Sequence, residues 1–498
     1  MFLGTGSDVG KSIAATAFCR IFKRRGFGVA PFKAQNMSNN SYVTIEGGEI
    51  GRAQAVQAEA AGLQPSVHMN PVLIKPSSEL GAQIVVHGKV FKNMDAASYH
   101  EFKHDLAGAI MDSYERLARE HEAVIMEGAG SCCEMNLKEN DLVNFSMAKA
   151  AKARCILVAD IDRGGVFAQI IGTYDLMDQQ ERDMTIGFLI NKFRGDPKLF
   201  ASGIDYIEKK TGKPVLGLVP FYNDILIDSE DSVAVQENRR RLRPTGPDFV
   251  NIAVVKLPSI SNFTDFEILE RERDVVVNYL SRPKDLTDDY DCIILPGAKN
   301  VMEDAAWMKR MGWMAAVRRF AKDGGRVFGI CGGFQLLGQK IEDPLGVESG
   351  ERNNSIMGAG LLPVNTVLLG EKTVQKVSGT CLVNKKRIRG YEIHMGRSTV
   401  KSGSCGPFSR LCKSGGRDEW HDGCVSENSR VAGTYVHGVF DSPGFRKEYL
   451  DGVRIEKGLS PRRAASGRLA RFRHYERLAD HFERYCTVDR IIDTLRLL

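Results

Sequence analysis

The chain has 498 residues, of which 43% are apolar and 26% are charged. This length exceeds what one hydrophobic core supports and predicts a soluble enzyme of two or three domains. The net charge of +6 is spread thinly and is too weak to indicate nucleic-acid binding. No apolar run is long enough to span a bilayer. Eleven cysteines without recurring metal-type spacing indicate mostly free thiols. We therefore expect a cytoplasmic protein with no nucleic-acid or membrane partner.

The first motif is GTGSDVGKS, a glycine-rich turn that runs directly into a segment of helical pattern. The N–H groups of such a turn, the helix N-terminus and a lysine attract phosphate, and a serine hydroxyl can ligate Mg²⁺. The pattern predicts an ATP site formed by Gly4, Thr5, Gly6, Ser7, Asp8, Val9, Gly10, Lys11 and Ser12. Five residues separate Gly4 from Gly10, one more than in the strict pattern. This longer loop resembles the ATP site of dethiobiotin synthetase and its relatives, which implies phosphoryl transfer to a carboxylate-type acceptor.

An amide-rich run, FKAQNMSNNS, follows the next predicted strand. Side-chain amides in a turn often cap the backbone, and this alternative stays open. Lys33, Gln35, Asn36 and Asn39 also offer several hydrogen-bond donors beside a phosphate site. Such a wall suits a substrate that carries several carboxylates or amides, so we predict that these four residues bind the substrate.

Further along, short apolar segments alternate with stretches of helical period, which predicts a parallel β-sheet covered by helices. The predicted strands are FGVAPFKAQ, AVIMEGAG, RCILVADI, TIGFLINKF and KPVLGLVPF, and a helix is predicted from Tyr99 to His121. Three polar residues follow these strands, at the sheet edge where open parallel sheets bind ligands. Glu127 is expected to hold Mg²⁺ together with Ser12 and Asp8.

The other two polar strand ends lie in DIDRGG and NKFRGD. Asp160 or Asp162 is expected to orient metal or substrate, and we assign Asp160 to the substrate site. Asn191 is expected to contact the nucleotide base. Each signal is weak by itself, but together with the phosphate loop they favour a nucleotide site.

The stretch QENRRRLRPTGP is polar, basic and proline-containing, and it predicts a linker. After it, NIAVVKLP, YDCIILPG, GGRVFGIC and VAGTYVHGVFD predict the strands of a second α/β domain, with a β-rich section from Leu361 to Arg397. The stretch from Ser402 to Asn428 predicts a loop insertion. We place an ATP- and substrate-binding domain at 1–236, the linker at 237–249, the second domain at 250–446 and a C-terminal helical segment at 447–498.

The second domain carries GICGGFQLLG, with Cys331 between glycines at the end of an apolar strand and the start of a helix. This spacing is typical of a nucleophile elbow, whose strained turn exposes the sulfur and whose helix N-terminus favours the thiolate. His437 follows another apolar strand and is the expected general base. The loop LPGAKN predicts an oxyanion hole with amides of Gly297 and Gly332.

This domain resembles the class I, triad-type glutamine amidotransferases, in which a cysteine attacks the side-chain amide of glutamine and releases ammonia. Members with the full triad carry a glutamate two residues after the histidine, whereas Val439 holds that position here. We therefore expect a dyad of Cys331 and His437. Glu392 and Asp441 are acids that could orient the histidine, but spacing establishes neither, and amide replacements should lower turnover only modestly.

The two domain types in this order resemble the cobyrinate-amidating enzymes, and more closely the cobyric acid synthase family. The segments that carry the resemblance are FKAQNMSNNS, NPVLIKP, LPSISNFTDF, LPGAKN and RGYEIHMG. The resemblance implies a corrinoid substrate, ATP, Mg²⁺ and L-glutamine. In cobalamin biosynthesis, the b, d, e and g carboxylates of adenosylcobyrinic acid a,c-diamide would be amidated through acyl phosphates, giving adenosylcobyric acid. Cobalt belongs to the substrate, so we predict no protein-bound cobalt, and a homodimer is left open.

Three alternatives stay open at this point. The first is cobyrinic acid a,c-diamide synthase, which shares both domain types but lacks the support of the KAQNMSNNS run. The second is a regulatory or partitioning P-loop ATPase, which has no need of a nucleophile at Cys331. The third is an inactive amidotransferase scaffold, suggested by Val439.

Overall fold

The computed structural model describes residues 1–76, 81–222, 224–228, 242–401, 405–464 and 468–496. Residues 237–241 of the predicted linker and residues 402–404 of the predicted loop insertion lie outside this part of the chain. Within it, no helix is both long enough and apolar enough to cross a membrane.

The first half is built on a parallel sheet, as predicted. Its strands lie in the order Val29–Phe32, Ala123–Met126, Phe2–Gly4, Cys155–Asp160, Thr185–Phe193 and Val215–Pro220, with a bridge between Phe2 and Glu127 joining the second strand to the third. Alternate residues of one strand enter different cores: Ile156 packs on one face of the sheet and Leu157 on the other. Burial on both faces explains why these strands are apolar throughout.

Helices and a small outer sheet complete this half. The predicted helix from Tyr99 to His121 is confirmed as Ala96–Glu120. The other helices are Lys11–Arg24, Arg52–Ala60, Phe145–Ala150, Val166–Leu176, Gln179–Met184 and Ala201–Thr211. The outer strands pair in the order Gln35–Met37, Val72–Pro76, Gly81–Val86 and Lys89–Asp95, and a separate pair is Ser41–Val43 with Glu49–Gly51.

The second half has its own sheet, whose parallel strands again match the prediction. The strand order is Val275–Leu280, Val250–Val255, Cys292–Leu295, Arg326–Ile330, Val431–Thr434, Cys424–Ser426 and Cys405–Gly406, and the last two strands run antiparallel to their neighbours. A short antiparallel pair joins Ile260–Ser261 to Gly297–Ala298. The helices are Glu267–Glu270, Val301–Met311, Trp313–Lys322, Gly332–Leu337 and Pro443–Glu456.

The predicted β-rich section is confirmed as a long hairpin, Val364–Cys381 with Arg387–Val400. Its sheet also contains Lys340–Asp343, Asn354–Met357, Ser409–Lys413 and Glu419–Asp422. The prediction of a loop from Ser402 to Asn428 is therefore wrong for residues 405–428. Leu411 is buried while Arg410 is exposed, because these short strands cover the core with one face only. Cys405 and Cys424 form a disulfide bond, whereas the other described cysteines are free.

The helical pattern predicted for the chain end is confirmed by the helices Arg468–Tyr485 and Val488–Arg496. The first of them packs on the helix that follows the phosphate loop, where Phe482 lies against Phe18 with ring centroids 6.4 Å apart. A salt bridge of 2.6 Å joins Arg24 to Asp480 on the rim of this contact. The C-terminal helix therefore packs on the first half of the chain, against the helix that follows the phosphate loop.

Candidate active sites

Two glycines of the phosphate loop leave space that neighbouring side chains occupy. Gly10 has a φ of 101°, a left-handed conformation that favours glycine, and a Cβ there would lie 2.1 Å from Nδ2 of Asn191. A Cβ at Gly4 would lie 2.8 Å from Nζ of Lys11. Lys11 Nζ donates to two backbone carbonyls at 2.8 Å, and Asn191 Nδ2 donates to the carbonyl of Val9 at 3.0 Å. The structure thus places both polar side chains on the loop itself.

Glu127 is the centre of the ATP-binding half. Its carboxylate is 1% exposed and accepts hydrogen bonds from Ser12 Oγ at 2.9 Å, from Lys33 Nζ at 2.7 Å and from Gln57 Nε2 at 2.6 Å. The sequence assigned Ser12 and Glu127 to the metal and Lys33 to the substrate, and the structure brings all three together. The sequence analysis did not identify Gln57. The structure shows it fully buried on a helix, where its amide needs a hydrogen-bond partner and finds one in Glu127.

Asp160 also lies beside the phosphate loop. Lys192 Nζ donates to the Asp160 carboxylate and to the carbonyl of Asp8, both at 2.7 Å. Asp8 itself has a φ of 59°, an uncommon conformation for a residue with a side chain. Lys192 thereby joins the side chain of Asp160 to the backbone of the phosphate loop at Asp8. The contact lies at the carboxyl ends of the parallel strands, where open sheets of this kind bind ligands.

The first part of the amide-rich run forms hydrogen bonds within the first half of the chain. Asn36 Nδ2 donates to Gln54 Oε1 at 2.9 Å and Asn39 Nδ2 donates to the carbonyl of Pro76 at 3.0 Å, while Gln35 is half-buried on its strand. Asn36 and Asn39 therefore bind other groups of the protein, as expected if part of the run stabilises the fold.

The end of the same run contacts the second half. Ser41 N–H donates to Asn262 Oδ1 at 2.8 Å, and Thr264 Oγ1 donates to Asn40 Oδ1 at 3.2 Å. The segment at 262–265 is thus held by the ATP-binding half, which links the two candidate sites physically.

Cys331 occupies the predicted elbow between the strand Arg326–Ile330 and the helix Gly332–Leu337. Its φ of 52° and ψ of −109° are strained for a residue with a side chain, and such strain recurs at functional sites. The backbone N–H is fixed on the carbonyl of Thr434 at 2.8 Å, and the thiol contacts the carbonyl of Ile393 at 3.3 Å. The sulfur is therefore held in one place at the end of the sheet.

His437 is oriented by a carboxylate that the sequence analysis did not identify. Its Nδ1 donates to Asp265 Oδ2 at 2.7 Å, and the N–H of Gly438 donates to Oδ1 of the same carboxylate at 2.8 Å. All of these groups are buried. Burial opposes charge on the imidazole, but the charges of Asp265 and Cys331, with hydrogen bonds to both, raise the pKa of His437 to about 10. The expectation of a dyad without an acid is therefore corrected: the arrangement is Cys331, His437 and Asp265.

The two acids considered from the sequence have other partners. Glu392 accepts a hydrogen bond from Gln375 Nε2 at 2.6 Å, and burial raises its pKa to about 7. Asp441 accepts from Arg471 at 3.1 Å, on the C-terminal helix. Neither acid makes the contact with His437 Nδ1 that Asp265 makes.

Both predicted oxyanion-hole glycines lie in tightly packed places beside the Cys331–His437 pair. A Cβ at Gly297 would come 2.8 Å from Cε1 of His437, and a Cβ at Gly332 would come 2.8 Å from the backbone nitrogen of Ala298. Glycine is required at both positions because these groups approach so closely. The assignment of their amides to an oxyanion stays a prediction.

A cavity opens beside Cys331 and His437. Its lining includes Lys299, Glu348 and Lys372 from the second half, and Lys75 from the first. Burial lowers the pKa of Lys75 to about 8, against the charge of a neighbouring glutamate. The cavity is therefore completed by both halves of the chain.

Glu49 joins the halves at the side of this cavity. Its buried carboxylate binds Lys75 and, at 2.5 Å, Lys372 Nζ. Burial disfavours its charge, but the two lysines hold the pKa of Glu49 well below its usual range. One carboxylate thus compensates a lysine from each half of the chain.

Three further histidines contact neighbouring side chains. His68 and His87 both contact Ser113 Oγ, at 3.1 and 2.9 Å. His394 stacks on Tyr435 with ring centroids 3.8 Å apart, and burial lowers its pKa to about 4. Among the residues described by the structure, no group of three or more His, Cys, Asp and Glu side chains is arranged to hold a metal ion.

Comparison with known proteins identifies both halves. Residues 1–233 match the family of CobQ/CobB/MinD/ParA nucleotide binding domains, and residues 251–445 match the CobB/CobQ-like glutamine amidotransferase domain. A protein named cobyric acid synthase from Syntrophobacter fumaroxidans is 48% identical over 503 residues, covering 99% of this chain and 97% of that protein. The chain belongs to the cobyric acid synthase family.

A second relative with the same name, from Chlorobium phaeobacteroides, is 45% identical and covers 99% of this chain and 98% of its own length. A solved structure described as a glutamine amidotransferase overlays with a TM-score of 0.31 at 13% identity, over 42% of this chain and 99% of that chain, too loosely to add to the assignment. Family membership makes this chain an ATP-using, glutamine-dependent amidotransferase ligase with a corrinoid substrate.

Proposed function

We propose that the protein amidates the b, d, e and g carboxylates of adenosylcobyrinic acid a,c-diamide, using ATP and ammonia from L-glutamine. The observation that carries this proposal is the cavity beside Cys331, which residues of both halves line. A nucleophile site that opens onto the ATP-binding half suits a reaction whose ammonia is made in one half and consumed in the other.

In the amidotransferase half, the Cys331 thiolate attacks the amide carbon of the glutamine side chain. The oxygen of the tetrahedral intermediate becomes negative, and the amides of Gly297 and Gly332 are the proposed donors to it. His437 protonates the amide nitrogen of the intermediate through Nε2, since Nδ1 is held by Asp265; the C–N bond then breaks, ammonia leaves and a thioester remains on Cys331. Water then hydrolyses the thioester, with His437 as general base, and glutamate leaves.

In the other half, the carboxylate of the corrinoid attacks the γ-phosphate of ATP, ADP leaves and the carboxylate becomes an acyl phosphate. The phosphate loop binds the nucleotide, and Lys11 offsets the charge that develops during phosphoryl transfer. Ammonia then attacks the acyl carbon, the amide forms and inorganic phosphate leaves. Ammonia has to arrive unprotonated, which favours a protected route from Cys331 over release into water.

Magnesium fits the residues at the loop. Ser12 Oγ and Glu127 Oε1 are oxygen donors 2.9 Å apart, which is the ligand type that Mg²⁺ prefers, and Asp8 lies in the same loop. Bound Mg²⁺ would offset phosphate charge. Lys33 shares the Glu127 carboxylate and is proposed to release it when the metal binds.

For the substrate, we assign Gln35, Asn36, Asn39 and Asp160, together with Lys33, to the corrinoid-binding surface. Their amide and charged groups can recognise carboxylates already converted to amides and those still to be converted. Asn191 is assigned to the nucleotide because its side chain contacts the phosphate loop, where Nδ2 donates to the carbonyl of Val9. A cytoplasmic location and a homodimer in solution are further parts of the proposal, and light scattering of the purified protein tests the latter.

The direct test is mass spectrometry of the corrinoid after incubation with the protein, ATP and L-glutamine. We expect four carboxylates to become amides, with glutamate, ADP and phosphate as co-products. Omission of ATP should stop amidation, and omission of glutamine should stop it unless ammonium is supplied. Formation of a product amidated at other carboxylates, or none at all, would contradict the proposal.

A further inference from the structure

The cavity beside Cys331 contains a lysine ammonium group that no described carboxylate contacts directly. Of its lysines, Lys75 and Lys372 share the carboxylate of Glu49. Lys299 Nζ, in contrast, forms no hydrogen bond or salt bridge with any described residue. Burial and the charge of Lys372 lower the pKa of Lys299 to about 8, against the charges of Glu348 and Glu49. Such a group is suited to bind an anion that enters the cavity.

A carboxylate of opposite charge lines the same cavity. Glu348 Oε2 accepts hydrogen bonds from the backbone N–H groups of Val301 at 2.6 Å and Met302 at 3.4 Å. Within the described residues, its other oxygen has no hydrogen-bond partner, and the side chain forms no salt bridge with Lys299. Burial raises the pKa of Glu348 to about 7, against the charge of Lys299. The cavity thus presents two separated opposite charges, each incompletely paired.

An α-amino acid has the complementary pattern of charges. Its ammonium and carboxylate are attached to one carbon, and its side chain leaves from the same carbon. In L-glutamine that side chain ends in the amide that a nucleophilic cysteine attacks. Two protein charges beside Cys331 can therefore hold the backbone end of the molecule while the amide reaches the sulfur.

We propose that Glu348 binds the α-ammonium group of L-glutamine and Lys299 binds its α-carboxylate. This inference rests on the proposed glutamine hydrolysis and adds the groups that select a free amino acid. Amides that lack one of the two charges, including glutamine side chains within a polypeptide, would leave a buried charge unpaired and bind weakly.

The test uses the full chain and two truncated amides as competitive inhibitors of L-glutamine hydrolysis. Glutaramate lacks the α-ammonium, and 4-aminobutanamide lacks the α-carboxylate. In Glu348→Gln we expect the KM for L-glutamine to rise about 10- to 100-fold, the effect of one charge-assisted hydrogen bond, while the inhibition constant of glutaramate changes less than about twofold. In Lys299→Met the same pattern should appear with 4-aminobutanamide as the unaffected ligand.

Matched controls are Glu303→Gln and Lys309→Met, which change exposed residues on the helix that begins at Val301. They should leave the KM for glutamine unchanged, and all four variants should keep ammonium-driven amidation. Equal weakening of L-glutamine and of the matching truncated amide would assign the residue to the fold rather than to the ligand and overturn the proposal, as would an unchanged KM. A wild-type protein that releases no ammonia from glutamine would instead refute the proposed function.

Discussion

Replacement of Asp265 by asparagine tests the assignment of the third catalytic group. The carboxylate accepts two hydrogen bonds, from Nδ1 of His437 at 2.7 Å and from the N–H of Gly438 at 2.8 Å. An amide has only one acceptor oxygen, so one of the two donors in Asp265→Asn must face an NH₂ group. Either the imidazole adopts the other tautomer or the backbone of the histidine loop loses its anchor.

The expected loss of activity in Asp265→Asn follows from the hydrogen bond that the variant loses. A hydrogen bond to a charged group contributes about 1.5 to 3 kcal/mol. At 1.36 kcal/mol per tenfold change, kcat/KM for glutamine hydrolysis should fall about 10- to 150-fold. The pKa of His437 should also fall, because Asp265 is a main cause of its rise to about 10. The imidazolium form is then lost at lower pH, so the alkaline limb of the pH profile should move towards neutrality.

The assay compares glutamate release by Asp265→Asn, His437→Ala and Glu392→Gln across pH, with ammonium-driven amidation as the test of an intact ATP site. Glu392→Gln is the matched control, since it makes the same acid-to-amide change at a buried residue bonded to Gln375. We expect it to lose less than about threefold. Equal, small losses in both acid-to-amide variants would show that the carboxylate beside His437 is dispensable and would restore the dyad.

Three further predictions follow from the same structure. Cys331→Ser should abolish glutamine-dependent amidation and leave ammonium-driven amidation, measured on the corrinoid, because the two chemistries lie in separate halves; loss of both in a folded variant would refute that division. Lys11→Ala should cost about 2.7 to 4 kcal/mol in the phosphoryl-transfer transition state, read as a fall in kcat for ATP hydrolysis, and unchanged turnover would remove the loop from the active site. Phe482→Ala should lower the free energy of unfolding by about 3 to 5 kcal/mol in a denaturant titration, more than the half-buried Phe472→Ala; equal losses would contradict the packing on Phe18.

Local patterns explain which parts of the fold could be predicted. Strands such as Cys155–Asp160 are apolar on both faces, and the elbow at Cys331 is contained in a few adjacent residues. The stretch 405–428 was misread because its short strands carry polar residues on the exposed face. Glycine and charge there indicate solvent contact, which a half-covered antiparallel sheet also has.

The missing carboxylate could not be found by looking near the histidine. Asp265 lies 172 positions before His437, and only the fold brings them together. A signal was present in NFTDF, where an acid stands between two phenylalanines that are both buried. A buried acid needs a partner, but the sequence does not identify that partner. The same limit applies to Glu348 and Lys299, whose common cavity arises from distant loops.

Isotope competition tests most directly whether the two halves act as one enzyme. The protein is incubated with the corrinoid, ATP and glutamine labelled with nitrogen-15 in its side-chain amide, in the presence of excess unlabelled ammonium. Mass spectrometry then counts the label in the product. A protected transfer from Cys331 to the acyl phosphate predicts that the new amides carry label despite the excess ammonium. Amides that match the isotope content of the medium would contradict it, because the ammonia would then have mixed with the solvent before reaching the ATP site.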